Sequence, residues 1–108
     1  MDQSVNVKIV VFVPVDQAET VRQAMGQAGA GKIGNYSFCS YSSNGVGRFV
    51  PNAGANPAIG EIGQLEEVAE ERIEMVCPRA IIKDVVEAIK KAHPYEEVAC
   101  DIYPLEAL

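Results

Sequence analysis

A chain of 108 residues with nine lysines and arginines against fifteen acids, and a net charge of −6, has the length of one domain and no basic surface for a phosphate backbone. No apolar run reaches the roughly 20 residues of a membrane span. The opening residues Met1-Asp2-Gln3-Ser4 carry no basic stretch followed by an apolar core, so the expectation is a cytoplasmic protein with no nucleic-acid or membrane partner.

Residues 5–13 read as a strand, with Val5, Val7, Ile9, Val11 and Val13 on one side and Val10 and Phe12 on the other. A strand that is apolar on both faces asks for cover on both sides. Helices supply one cover, and another copy of the chain is the simplest source of the other. Asp16 then starts a helix, with Glu19 at capping-box spacing and a stripe of Val21, Ala24, Met25 and Ala28. Gly26, Gly29, Gly31 and Gly34 end it.

Residues 36–50 read as a bent strand or hairpin with Asn44-Gly45 at the turn. Residues 51–66, rich in Gly, Asn, Pro and Ala, form a connection long enough to be functional or mobile. Residues 72–77 alternate, with Ile73, Met75 and Cys77 on one face. Pro78 opens a second helix whose stripe is Ile82, Val85, Val86 and Ile89, and Pro94 stops it. Val98, Cys100 and Ile102 then alternate with Ala99, Asp101 and Tyr103 in a last strand. The order over residues 1–108 is that of a single ferredoxin-like domain of the α+β class. It is a βαββαβ sandwich, an antiparallel sheet with two helices on one face.

Two glycine motifs follow the first helix. Gly26 to Lys32 matches the start of a P-loop, but Ile33 stands where Ser or Thr must hold magnesium, and Gly29, Gly31 and Gly34 match G-x-G-x-x-G. Both motifs work between a strand and a following helix, where phosphate meets the helix N-terminus. Here they follow a helix, so helix termination accounts for them.

The stretch His93-Pro94-Tyr95-Glu96-Glu97 is denser in chemistry. His93 lies four residues after Ile89 and continues the apolar stripe, where it can bond the last carbonyls of the helix. A sharper reading makes His93, Glu96 and Glu97, with Asp101 nearby, ligands of a divalent metal ion. One histidine is thin for such a site unless symmetry brings ligands together from several chains. Tyr36, Cys39, Arg48 and Asn56, beside the long connection, are the candidates for contact with a small ligand or partner. Glu66-Glu67 and Glu70-Glu71 read as a solvated acidic face leading into the third strand. Cys39, Cys77 and Cys100 form no C-x-x-C pair and suit reduced thiols. No signature joins any of them to His93, so no catalytic residue is assigned.

Five segments together carry a family likeness. They are Ala30-Gly31-Lys32-Ile33-Gly34-Asn35-Tyr36-Ser37-Phe38-Cys39-Ser40, Gly47-Arg48-Phe49-Val50-Pro51, Gly54-Ala55-Asn56-Pro57-Ala58-Ile59-Gly60, Glu71-Arg72-Ile73-Glu74 and the stretch from His93 to Glu106. Over about residues 8–106 the chain resembles the domain inserted in longer YqfO-type members of the Nif-three-like family. The resemblance implies a fold similar to CutA and PII proteins and a homo-oligomer, with a trimer favoured over a dimer. It does not carry over hydrolase or cyclohydrolase chemistry, because the family's dimetal site belongs to flanking halves that have no counterpart here. Cys100 stands where the family leads one to expect an aromatic or aliphatic residue.

The resulting expectation is a non-enzymatic PII/CutA-like module that binds a small ligand or ion, or regulates. Its rivals are a divalent-metal-binding protein using His93 and nearby carboxylates at a subunit boundary, and an interaction module for another protein.

Overall fold

In the computed structural model, which describes residues 3–108, the backbone forms one four-stranded sheet and two α-helices. The strands are β1 (Gln3–Pro14), β2 (Tyr41–Phe49), β3 (Glu66–Pro78) and β4 (Cys100–Glu106); α1 (Ala18–Gln27) follows β1 and α2 (Ile82–Ala92) follows β3. The order across the sheet is β2-β3-β1-β4, antiparallel throughout. Gln3 pairs with Glu106, so both ends of the described chain leave the sheet side by side.

Alternation sorts the side chains onto two faces. Val7, Ile9 and Val11 of β1 stand opposite Cys77, Met75 and Ile73 of β3, and Val21 and Met25 of α1 with Val85 and Ile89 of α2 close over them. All of these are at most 1% exposed, and each such aliphatic side chain contributes roughly 1.5–3 kcal/mol by leaving water. The intervening residues, among them Lys8, Val10 and Phe12 of β1 and Glu70, Arg72 and Glu74 of β3, look out on the open face.

Several local expectations are corrected. Asp16 and Glu19 make no capping box: Val15–Gln17 is a 3₁₀ turn, α1 starts at Ala18, and no side chain caps it. The Glu19 carboxylate accepts hydrogen bonds from Gln23 Nε2 at 2.9 Å and Arg22 Nε at 2.8 Å instead, and these bonds lower its pKa. Asn44-Gly45 is no turn either. It lies within β2, which pairs with β3 without a break from Tyr41↔Glu74 to Phe49↔Glu66. The tight turn sits earlier, where the backbones of Ile33 and Tyr36 bond each other at 3.0 and 2.9 Å.

β3 begins at Glu66 rather than at Arg72, which places all four of those glutamates in a strand, and Pro78 ends β3 before a 3₁₀ turn (Arg79–Ile81) leads into α2. Val10, though on the open face, is fully buried within one chain. No second copy is needed to cover that point. The open-face aromatics left exposed are Tyr41, at 71%, and Tyr103, at 42%.

Candidate functional site

A groove of about 800 Å³ opens on the sheet face away from the helices. Its origin is the small-residue rhythm of β2. Ser43, Gly45 and Gly47 point to the open face opposite Arg72, Glu70 and Val68 of β3, and the missing side chains leave a trough. Residues of the 50–59 segment make one wall, Tyr95, Glu96 and Glu97 another, and Phe12 and Phe49 add apolar surface.

Glu70 is the buried polar group of this groove, at 8% exposure. Its carboxyl lies across Gly47, in the space a Cβ would need, so glycine at 47 is what admits it. The Tyr95 hydroxyl donates to Glu70 Oε2 at 3.2 Å, and the Tyr95 ring meets Phe49 edge-on at 5.8 Å between centroids. Burial, then the charges of Glu70 and Glu66 and the Glu70 hydrogen bond, push the Tyr95 phenol up to about 12.

Because that value stands above the ordinary 10.0, the stability Tyr95 contributes is complete below pH 10 and is lost as pH rises through about 12. In a titration followed by phenolate absorbance, one tyrosine is expected to ionise about two units late. Glu70→Gln removes the charge and leaves the burial, so it should bring the ionisation part of the way back towards 10; an ionisation unmoved in Glu70→Gln would contradict the part assigned to Glu70.

His93 sits behind this wall, 6% exposed. The Tyr95 N–H donates to His93 Nδ1 at 3.1 Å, so the ring proton lies on Nε2 and is donated to the Phe12 carbonyl at 2.7 Å. The His93 N–H completes the end of α2 by bonding the Ile89 carbonyl at 2.9 Å. Both ring nitrogens are thus engaged with backbone. Glu96 Oε1 accepts the Asn56 N–H at 2.9 Å, which ties the long loop to the segment after α2.

The structure therefore divides the expected residues. Arg48, Glu96 and Glu97 line the groove and Asn56 anchors its wall, whereas Tyr36, at 75% exposure, and Cys39 lie on the segment after α1 and do not line it. His93, Glu96 and Glu97 do not converge, and no three His, Cys, Asp or Glu side chains form a metal-holding group among the described residues. Cys100 is half-buried and burial pushes its thiol up, which leaves less of the reactive thiolate.

Glu70, Tyr95, Phe12 and Arg72 are the residues sequence reasoning did not single out. Their one signal was the alternation of small residues at 43, 45 and 47. Glu70 and Glu71 are not the solvated face expected of them: Glu70 is buried, and Glu71 Oε1 takes an Arg22 hydrogen bond at 2.9 Å that raises the arginine's pKa.

No family model matches the chain. A Bacillus subtilis protein named GTP cyclohydrolase 1 type 2 homolog is 56% identical over 99 residues, which are 92% of this chain and 26% of that protein. The chain thus spans about a quarter of the length of the curated relatives it matches. A Bacillus cereus protein related to NIF3 superposes with a TM-score of 0.83 at 52% identity, over 98% of this chain and 26% of that one.

The periplasmic divalent cation tolerance protein CutA of Archaeoglobus fulgidus follows the same fold with a TM-score of 0.69 at 15% identity, over 95% of this chain and 86% of CutA. GlnK of Bacillus subtilis, in complex with ATP, does so with a TM-score of 0.62 at 16% identity, over 97% of this chain and 84% of GlnK. Over nearly its whole length this chain is a homologue of one segment of the NIF3-related GTP cyclohydrolase 1 type 2 homologs, in the ferredoxin-type fold of CutA and PII proteins.

Proposed function

We propose that the chain is a non-catalytic, homo-oligomeric binding module that seats a small ligand in the groove under the 50–65 loop. The groove itself carries this reading: a concave, mainly apolar site with a few convergent polar groups is the usual form of a small-molecule pocket. A ligand there touches the sheet at Phe12 and Glu70, the long loop and Tyr95 together. Since the Asn56–Glu96 hydrogen bond is the tether between that loop and the 93–99 segment, occupancy would order the loop and change the surface it shows.

Exposed Tyr41 and Tyr103 support packing of the open face against other copies, with a trimer favoured over a dimer. The cation-tolerance name of CutA supports an ion as the ligand less well. Glu96 and Glu97 stand at the groove, but neither His93 nitrogen is free to join them. The cyclohydrolase wording in the relatives' names has no convergent set of His, Cys, Asp or Glu behind it among the described residues of this chain.

The reading is tested by titrating a mixture of rigid fragments into ¹⁵N-labelled protein. Shifts gathered at Gly45, Gly47, Ala55, Tyr95 and Glu97 support it; shifts gathered between α1 and α2 contradict it. Light scattering at micromolar concentration checks assembly, and a mass of one chain would remove the oligomer.

A further inference from the structure

Glu70 differs from every other acid on the sheet. It is more than nine-tenths buried, and its partner among the described residues is the uncharged hydroxyl of Tyr95. By contrast, Glu74 has Lys8 at 3.5 Å, Glu71 has Arg22 at 2.9 Å and Glu67 has Arg48 at 3.5 Å. A buried carboxyl with a single neutral donor lacks most of the hydrogen bonds it would have in water, and a charged donor would restore them.

The surroundings point the same way. Glu96 and Glu97 line the groove with Glu70 and have no cationic partner within salt-bridge distance among the described residues. The two arginines that line it are already beside other carboxylates, Arg48 at Glu67 and Arg72 at Glu74, the latter at 3.4 Å. No lysine reaches it. The rest of the lining is mainly small and apolar, with Ser43, Asn44 and Asn52 as its uncharged polar members and the rings of Phe12, Phe49 and Tyr95 along it. A site with excess negative charge, flat aromatic walls and a fixed acceptor is complementary to a flat organic cation that donates N–H bonds.

We propose that the groove takes a small organic cation of the amidine or guanidine kind, its N–H group donating to Glu70 Oε1 and its body lying among Phe12, Phe49 and Tyr95. This rests on the reading of the groove as the ligand site. Gly45 makes room for it, Gly47 admits the Glu70 carboxyl beside it, and the Tyr95 hydroxyl holds that carboxyl in place from its other oxygen.

The test uses three ring-matched probes: benzamidine, which is cationic; benzamide, which is neutral; and benzoate, which is anionic. Each is titrated into ¹⁵N-labelled protein, with the Gly45, Gly47 and Tyr95 amides as readout. Benzamidine should bind tightest. Glu70→Gln, which keeps the shape and still accepts from Tyr95, should weaken it at least about tenfold. Glu87→Gln, on the exposed side of α2, makes the same change in net charge and should leave binding as it was.

Benzoate binding as tightly as benzamidine would overturn the cation while keeping the groove as a ligand site, since the Arg72 guanidinium, whose Nε lies 3.4 Å from Glu74 but makes no hydrogen bond among the described residues, would then be the recognising group. Equal losses in Glu70→Gln and Glu87→Gln would also overturn it. No groove shift with any of the three probes would overturn both the cation and the groove.

Discussion

His93→Ala is expected to destabilise the fold by about 2–4 kcal/mol, the sum of a cavity at a buried ring and a carbonyl left without its donor. The imidazole is 6% exposed and reaches the Phe12 carbonyl of β1, 81 residues away in the chain, while accepting the Tyr95 N–H just after α2. Without the ring the segment after α2 loses its tie to β1 and the Tyr95 N–H loses its acceptor, while the backbone bond from His93 to Ile89 remains. Urea denaturation checks this, and the loss should be the same with and without a chelator. A loss below about 1 kcal/mol would make His93 dispensable to the joint it occupies.

Gly31→Ala should cost about as much, for a different reason. Gly31 has φ +82°, its N–H bonds the Val76 carbonyl at 2.7 Å, and its own carbonyl accepts the Cys39 N–H at 2.8 Å. It therefore holds the end of the segment after α1 beside β3. An added Cβ would lie 2.7 Å from the Cys39 carbonyl oxygen and 2.9 Å from its nitrogen, both backbone atoms that cannot step aside.

The internal control is Gly34, which has φ +56° with nothing within 4 Å of a Cβ. Gly34→Ala should lose about 1 kcal/mol, from the left-handed backbone alone. Gly31→Ala should lose about 2–4 kcal/mol, and the difference is the clash. Thermal unfolding of the two variants side by side measures it; equal losses would mean the backbone relaxes around residue 31.

The fold was legible wherever a pattern was local. The alternation Ile73, Met75, Cys77 and the stripe Val85, Ile89 report which face is buried whatever the neighbouring chain does, and both meet the core as expected. The Nif-three-like likeness covered the same span that the homologues confirm. Asn44-Gly45 misled because it is a strong two-residue turn signal, and turn propensity is weaker than a nine-residue ladder. That ladder pairs Asn44 with Glu71 and Gly45 with Glu70, 27 and 25 positions ahead, so nothing near 44 announces it.

Glu70 was illegible for the same reason. In sequence it belongs to an acidic run. Only the cross-strand register, which sets Gly45 opposite it and leaves Gly47 beneath its carboxyl, makes it buried. Half of the candidate site could be named from the chain, since Arg48, Asn56, Glu96 and Glu97 all touch the groove or its wall. The other half is a product of pairing.

The central claim is that the trough along Ser43, Gly45 and Gly47 is where a ligand sits. Gly45 offers the means to fill it: it faces the open side, its φ is not positive, and a Cβ there meets nothing within 4 Å. A phenylalanine at this position would place its ring in the trough without a clash at the backbone. The decisive measurement is fragment binding, read on the amides of Ala55, Tyr95 and Glu97, in Gly45→Phe against the unsubstituted chain, with unfolding midpoints showing that both are folded. The account predicts that binding is lost while the fold is kept. Undiminished binding in a folded Gly45→Phe protein would contradict it.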